Sequence, residues 1–352
     1  MHPGLAYAFA TDAAPTRNRP NELLGRFVRA YWLRPENAFW MTLRSETLAC
    51  CPLERPSVDL SCGDGVFTFL HAGGVFDPAF DVFTSVCVEA PGPAGQRDEA
   101  PQGGTCVRSE QPDTTGRERG ADMFDHVDEQ YHPVIVTRPS PERRIDVGTD
   151  IKPALLAKAQ RLKFYGRLVE HDNNRPLPFG DDSFQTVYCN SAYWVAKIEQ
   201  FLAEMARITR PSGRIILQVK LDCMRRYTLE AHRYILGDRF LKIVEGDRLE
   251  SWPTLADEST WAARFAAAGL LVERAIPFAT KTHAYIWDVG LRPVAPMLVK
   301  MARALTPDVR VAIKREWVDL VSELLEPLCD PSFNVPGSQD EPAEIQYVLT
   351  PA

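Results

Sequence analysis

The chain predicts an α/β protein built on a doubly wound, mostly parallel sheet. Three observations carry that expectation. Short apolar runs alternate with helical segments, a glycine turn follows the first run, and acidic or amide residues stand where several runs end. Alternating strands and helices give a sheet covered on both faces. A ligand then belongs at the carboxyl ends of the strands.

Residues 1–20 are rich in Pro, Ala and Thr and are expected to fray. Leu24, Phe27, Val28 and Trp32, then Phe39, Met41, Leu43 and Leu48, recur near helical spacing, and Pro35 divides the pattern into two helices. This helical segment spans 1–50. Ser57 to Leu60 reads as a buried strand entering the turn Ser61-Cys62-Gly63-Asp64-Gly65, with a helix from Val66 to His71. From 91 to 119 the chain is dense in Pro, Gly, Gln and charge, which cannot bury a core. An insertion over about 77–144 is therefore expected, its end (Met123 to Val136) more ordered than its middle.

Alternation resumes with a strand at Ile145–Asp150 and a helix at Pro153–Leu162, where proline suits the first turn. Strands at 168–172 and 184–190 follow. Ile198, Phe201, Leu202, Met205 and Ile208 form one helical stripe, closed by Pro211-Ser212-Gly213 before a strand at Ile215–Val219. A helix over Trp261–Ala268 stops at Gly269, a strand covers Leu270–Phe278, helices fill Tyr285–Leu328, and Ile345–Leu349 is the final strand. The core is expected over 51–221, and a helical cover with the last helix and strands over 222–352.

Composition narrows the function. With 45% hydrophobic and 25% charged residues, the 352-residue chain can bury a core without staples. A net charge of −7 and no long basic run argue against a nucleic-acid partner. The eight cysteines form no C-x-x-C pair, and Cys50 and Cys51 are adjacent, so reduced thiols are expected and no metal site. No signal-like leader and no run near ~18 apolar residues are present, so a cytoplasmic protein without membrane insertion is expected.

Asp59, Asp150 and the pair Asp172-Asn173 stand at strand ends. A strand-ending carboxylate beside a glycine turn suits a ribose, because its oxygens accept both hydroxyl protons. Gly63 and Gly65 let the backbone approach a ligand closely.

The run Val58-Asp59-Leu60-Ser61-Cys62-Gly63-Asp64-Gly65 resembles the glycine-rich motif of the class I S-adenosylmethionine-dependent methyltransferases. Asp150, Asp172, the stretch Leu177 to Phe184 and the stretch Glu204 to Arg214 are similar to that family's later motifs, in its order. The resemblance covers about 57–220 less the insertion, and implies a Rossmann-like, seven-stranded sheet with S-adenosyl-L-methionine as cofactor. By matched position, Ser61, Gly63 and Gly65 would line its methionine and ribose, and Asp150 would bind the ribose hydroxyls. Ile151 would lie against the adenine, Asp172 and Asn173 at its edge, and Asn190 and Ser191 beside the methionine and the acceptor. Ser61 departs from the glycine usual there.

Methyl transfer needs an aligned acceptor more than a covalent catalyst. Tyr193 and His126 are the candidates for catalysis, with Trp32, Trp40, Tyr193 and Trp194 lining the acceptor, a small molecule by this reading. Two rivals share the fold, a nicotinamide-dependent oxidoreductase and a non-catalytic binding protein. Thr68 stands where a dinucleotide fingerprint has glycine.

Overall fold

The computed structural model describes residues 21–82, 131–245, 252–330, 333 and 341–352. Helix α1 (Glu22–Ala30) is capped by Asn21, whose side chain accepts from the Leu23 and Leu24 amides. Helix α2 (Pro35–Leu48) starts at the proline that divides the two, where the missing N–H costs no hydrogen bond. Strand β1 (Ser57–Leu60) runs through the glycine turn into α3 (Val66–His71).

The insertion leaves and returns through a two-stranded antiparallel ribbon, β2 (Val75–Phe76) with β3 (Ile135–Thr137). An aromatic chain roots it: Phe69 on Phe76 (5.1 Å), Phe76 on Phe80 (4.9 Å) and Phe80 on Tyr131 (5.6 Å). Of the stretch expected to be more ordered, Met123 to 130 lies outside the described residues.

The main sheet continues with β4 (Val147–Asp150), α4 (Pro153–Leu162), β5 (Arg167–Glu170), β6 (Phe184–Cys189), α5 (Ile198–Ile208) and β7 (Thr209–Lys220). Then come α6 (Arg233–Leu236), α7 (Asp238–Glu245), α8 (Glu258–Ala267), β8 (Leu270–Thr280) and α9 (Lys281–Tyr285). A π-helical turn, Ile286–Leu291, leads to α10 (Ala295–Arg303), α11 (Pro307–Leu325) and β9 (Pro342–Pro351). The sheet order is β5-β4-β1-β6-β7-β9-β8, parallel except that β9 runs against both neighbours. This is the seven-stranded, mostly parallel, Rossmann-like sheet expected, with a core on each face. Phe201, Met205, Trp261 and Phe265 pack one side, and Phe27, Phe39, Phe69 and Leu162 pack the other.

Several boundaries differ from expectation, two of them at the ends of β5 and α5. The third strand ends at Glu170, before His171 and Asp172. Helix α5 ends at Ile208, and the chain is extended from Thr209 onward, so Pro211 to Gly213 belong to an irregular first part of β7. Pro211 disfavours helical geometry in the residue before it, which moves the helix end upstream.

Candidate active site

The loop between β1 and α3 takes left-handed backbone at Ser61 (φ 66), Gly63 (φ 60) and Gly65 (φ 74). Its register is set by its neighbour strand: the Cys62 amide donates to the Thr149 carbonyl (2.7 Å) and the Gly63 amide to Asp150 Oδ2 (3.0 Å). A Cβ on Gly65 would come within 2.8 Å of the Tyr165 ring, whereas one on Gly63 would meet nothing within 4 Å. Gly65→Ala is therefore expected to cost about 2–3 kcal/mol, left-handed strain plus overlap. Gly63→Ala should cost about 1 kcal/mol, from the backbone alone. Equal costs in chemical denaturation would contradict the packing argument.

Asp150, at the end of β4, is nearly buried, and burial pushes its carboxyl above the usual carboxylate range. Its Oδ2 accepts from Gly63, and its Oδ1 from the Lys152 amide (2.9 Å). A carboxylate has about four lone-pair sites, so two remain for a vicinal diol. Beside it Ile151 is 50% exposed, an apolar side chain open to a flat partner.

Asn173, after β5, donates from Nδ2 to Ser61 Oγ (2.8 Å), while its buried Oδ1 has no hydrogen-bond partner among the described residues. Asp172 turns to its own loop, its Oδ1 accepting from the Asn174 amide and side chain (both 2.9 Å). At the end of β6, Ser191 donates to Asn190 Oδ1 (2.7 Å). The ends of β1, β4, β5 and β6 thus bring together Ser61, Gly63, Gly65, Asp150, Ile151, Asn173, Asn190 and Ser191.

Asp59 is a correction to the expectation. It lies beneath the loop, its Oδ2 accepting from Tyr165 (2.9 Å) and Thr68 (3.1 Å), so it supports the turn from below. Burial pushes its carboxyl up to about 7 despite those two hydrogen bonds. Because the folded value is raised, its contribution to stability is full below the unfolded value near 4 and lost as pH rises to about 7. Asn keeps both acceptor bonds and does not titrate. Asp59→Asn is expected to gain on the native protein as pH climbs through that window, by roughly 1–2 kcal/mol at pH 8. Parallel stability profiles for the two proteins would refute this.

Trp32 is a second correction, being committed elsewhere. Its indole N–H donates to Asp81 Oδ2 (2.6 Å) and its carbonyl accepts from the Trp317 indole (2.8 Å), tying the end of α1 to the root of the insertion and to α11. Trp194 is half exposed, and His126 lies outside the described residues.

Trp40 and Tyr193 stand in a cluster the sequence did not reveal. Trp40, Tyr193, Trp252 and Trp287 surround the Lys220 ammonium, with ring centroids 4.7, 5.1, 5.2 and 5.1 Å from Nζ. Lys220 ends β7 and pairs in register with Glu344 of β9, and the two side chains form an ion pair. Arg44, one turn beyond Trp40 on α2, clasps the same carboxylate through Nε (3.1 Å) and Nη2 (2.9 Å). Tyr193 comes from the turn Ala192–Trp194, which follows Asn190 and Ser191 directly after β6. The π-helical turn carries Trp287 into the box, a distortion common at functional sites. Among the described residues no group of His, Cys, Asp and Glu could hold a metal, and no helix is long and apolar enough to cross a membrane.

Residues 142–217 match a family model described as a methyltransferase domain. No curated protein matches the chain. Among solved structures, the methyltransferase in complex with the Haloferax volcanii Trm112 methyltransferase activator is 16% identical, with 95% of this chain and 98% of that one covered and a TM-score of 0.40. An S-adenosylmethionine-dependent methyltransferase from Thermotoga maritima is 12% identical, with 94% and 99% covered and a TM-score of 0.42. Geranyl diphosphate C-methyltransferase from Streptomyces coelicolor, in complex with Mg2+, geranyl diphosphate and S-adenosyl-L-homocysteine, is 10% identical, with 88% and 78% covered and a TM-score of 0.37. These three are likenesses of outline. The matched segment runs from the approach to β4 into β7 and so holds Asp150, Asn173 and Asn190, while the glycine loop outside it completes the same cradle. Over residues 142–217 the chain is similar to a methyltransferase domain.

Proposed function

We propose that this chain transfers the methyl group of S-adenosylmethionine to a small acceptor, an intermediate of natural-product biosynthesis, in the cytoplasm. The observation that carries the small-molecule reading is the aromatic box beside Asn190 and Ser191. Its four rings are each no more than 8% exposed. The rings close on Lys220, and the confined approach this leaves beside Ser191 suits a small molecule and not a polymer.

The residues fit the cofactor. A buried acceptor without a partner, Asn173 Oδ1, is what an adenine amino group would satisfy. Asp150 would take the ribose diol and Ile151 the adenine face. Ser61, Gly63, Gly65, Asn190 and Ser191 would surround the methionine end. When bound, S-adenosylmethionine supplies an electrophilic methyl group on its sulfonium.

The protein's own part is positional. Displacement in line needs the acceptor lone pair at about 3–3.5 Å, so rigid walls at Trp40 and Tyr193 are worth more than a covalent catalyst. Trp194, half exposed, forms the outer side. A base is needed only where the acceptor's proton must leave first, and the Tyr193 hydroxyl is the candidate among the described residues.

The test is label transfer. Purified protein with methyl-labelled S-adenosylmethionine is offered a dialysable extract, and separately bulk protein and RNA. Label in the dialysable fraction is expected. Label confined to polymer would defeat the small-acceptor reading.

A further inference from the structure

Exposed apolar residues gather on the last two helices. Val309, Ile313, Leu320 and Leu324 stand on α11, and Met297 and Met301 on α10 with Val294 just before it, all between 42% and 62% exposed. At ~100° per residue, the four on α11 share ~60° of arc, and so do the three at α10. The other side of α11, with Val318, Val321 and Leu325, packs into the core, so the stripe is not what holds the helix. Single exposed apolar residues are ordinary, whereas aligned stripes on consecutive helices mark an interaction surface.

The charges beside the two stripes have opposite signs. Helix α10 carries Lys300 and Arg303, and no acidic residue occurs between Asp288 and Asp308. Helix α11 sets Asp308, Glu316, Asp319 and Glu323 along its stripe, against one cation, Arg315. All of these are exposed, and none is in an ion pair among the described residues. An anionic membrane would be repelled by the acidic stripe, and a net charge of −7 gives no general attraction to one. A second copy of the chain presents both complements at once. Only Ala304, Leu305 and Thr306 join the helices, so the cationic and anionic halves belong to one hairpin.

We propose that the chain forms a two-fold dimer in which α10 of each copy lies on α11 of the other. The apolar stripes close on one another, and Lys300 and Arg303 face the partner's acidic flank. A two-fold interface uses the same patch on both sides, so a patch with a cationic and an anionic half satisfies itself.

The experiment measures the mass of the full chain in solution by light scattering and sedimentation velocity, at micromolar concentration. A dimer, twice 39.5 kDa, is expected. Leu320→Asp sets a carboxylate within the α11 stripe and should raise the dimer dissociation constant about tenfold or more. Two charge-reversed variants test the pairing itself. Lys300→Glu with Arg303→Glu makes α10 acidic, and Glu316→Lys with Asp319→Lys and Glu323→Lys makes the α11 flank basic. Each alone opposes like charges at both contacts and should weaken the dimer about tenfold or more. Mixed in equal amounts, the two should dimerise nearly as tightly as the native chain. In that mixed dimer an acidic α10 meets a basic α11 at one contact, and the native pairing stands at the other. Every substituted side chain is exposed, and thermal unfolding checks that each variant folds.

A native chain that stays monomeric would overturn the proposal. So would undiminished association of either reversed variant, or no recovery on mixing. Monomers that bind phosphatidylserine vesicles through Leu320 would overturn it too, and would assign the surface to a membrane.

Discussion

Glu344→Ala is expected to destabilise the protein by about 3–5 kcal/mol, because it strands two buried cations. Glu344 is fully buried, Lys220 is 2% exposed and Arg44 3%. Burial works against ionisation of Glu344, but Arg44 and Lys220 outweigh it and hold the carboxyl below the usual carboxylate range. The three side chains come from α2, β7 and β9, so the cluster also ties the N-terminal helices to the sheet.

A second latch reinforces the same seam. Gln218 donates to the Arg44 carbonyl (3.0 Å) and to Gln346 Oε1 (2.8 Å), and Gln346 donates to the Thr47 carbonyl (3.1 Å). Chemical denaturation of Glu344→Ala and Glu344→Gln checks the expectation. Gln keeps the shape and one acceptor, and should cost less. Replacing all three charged groups by apolar side chains of similar volume should cost less than Glu344→Ala, since the penalty lies in the unpaired charge. A loss below about 1 kcal/mol for Glu344→Ala would mean that the cations find water or another partner.

Local chemistry explains what was legible in the sequence. Pro35 and Pro153 start helices, Gly269 ends one, and Asp150 closes a strand, because each choice is made by a residue and its immediate neighbours. Asp59 was misplaced for a physical reason. A four-residue strand buried on both sides offers no alternation to say which side chains face the ligand and which face inward. Its partner Tyr165 lies 106 residues away, beyond the insertion.

The box was invisible for a related reason. Lys220 and Glu344 meet across 124 residues, through antiparallel register that only the folded sheet defines. In sequence, Lys220 is only the polar end of an apolar run. Trp40 and Tyr193 could be suspected as aromatic residues near strand ends, but nothing local said that a lysine would sit among them.

Asp150→Ala is expected to weaken S-adenosylhomocysteine binding by roughly 10²-fold or more, since two hydrogen bonds from a charged group are each worth about 1.5–3 kcal/mol. The carboxylate acts twice. It would accept the ribose hydroxyls, and it already accepts the Gly63 amide, so the loop loses its tether together with the ligand's partner. Asp150→Asn separates the two effects. An amide oxygen can still accept from Gly63 or from one hydroxyl, but its NH2 cannot take the place of the second acceptor oxygen. Its loss should therefore be intermediate. Calorimetry on the native protein and both variants measures this, with thermal unfolding as the control for folding. If Asp150→Ala stayed folded and bound S-adenosylhomocysteine within threefold of the native protein, the ribose would have to be held elsewhere. The orphaned Asn173 Oδ1 and its partner Ser61 would then be the first groups to examine, because they form the other polar wall of the same cradle.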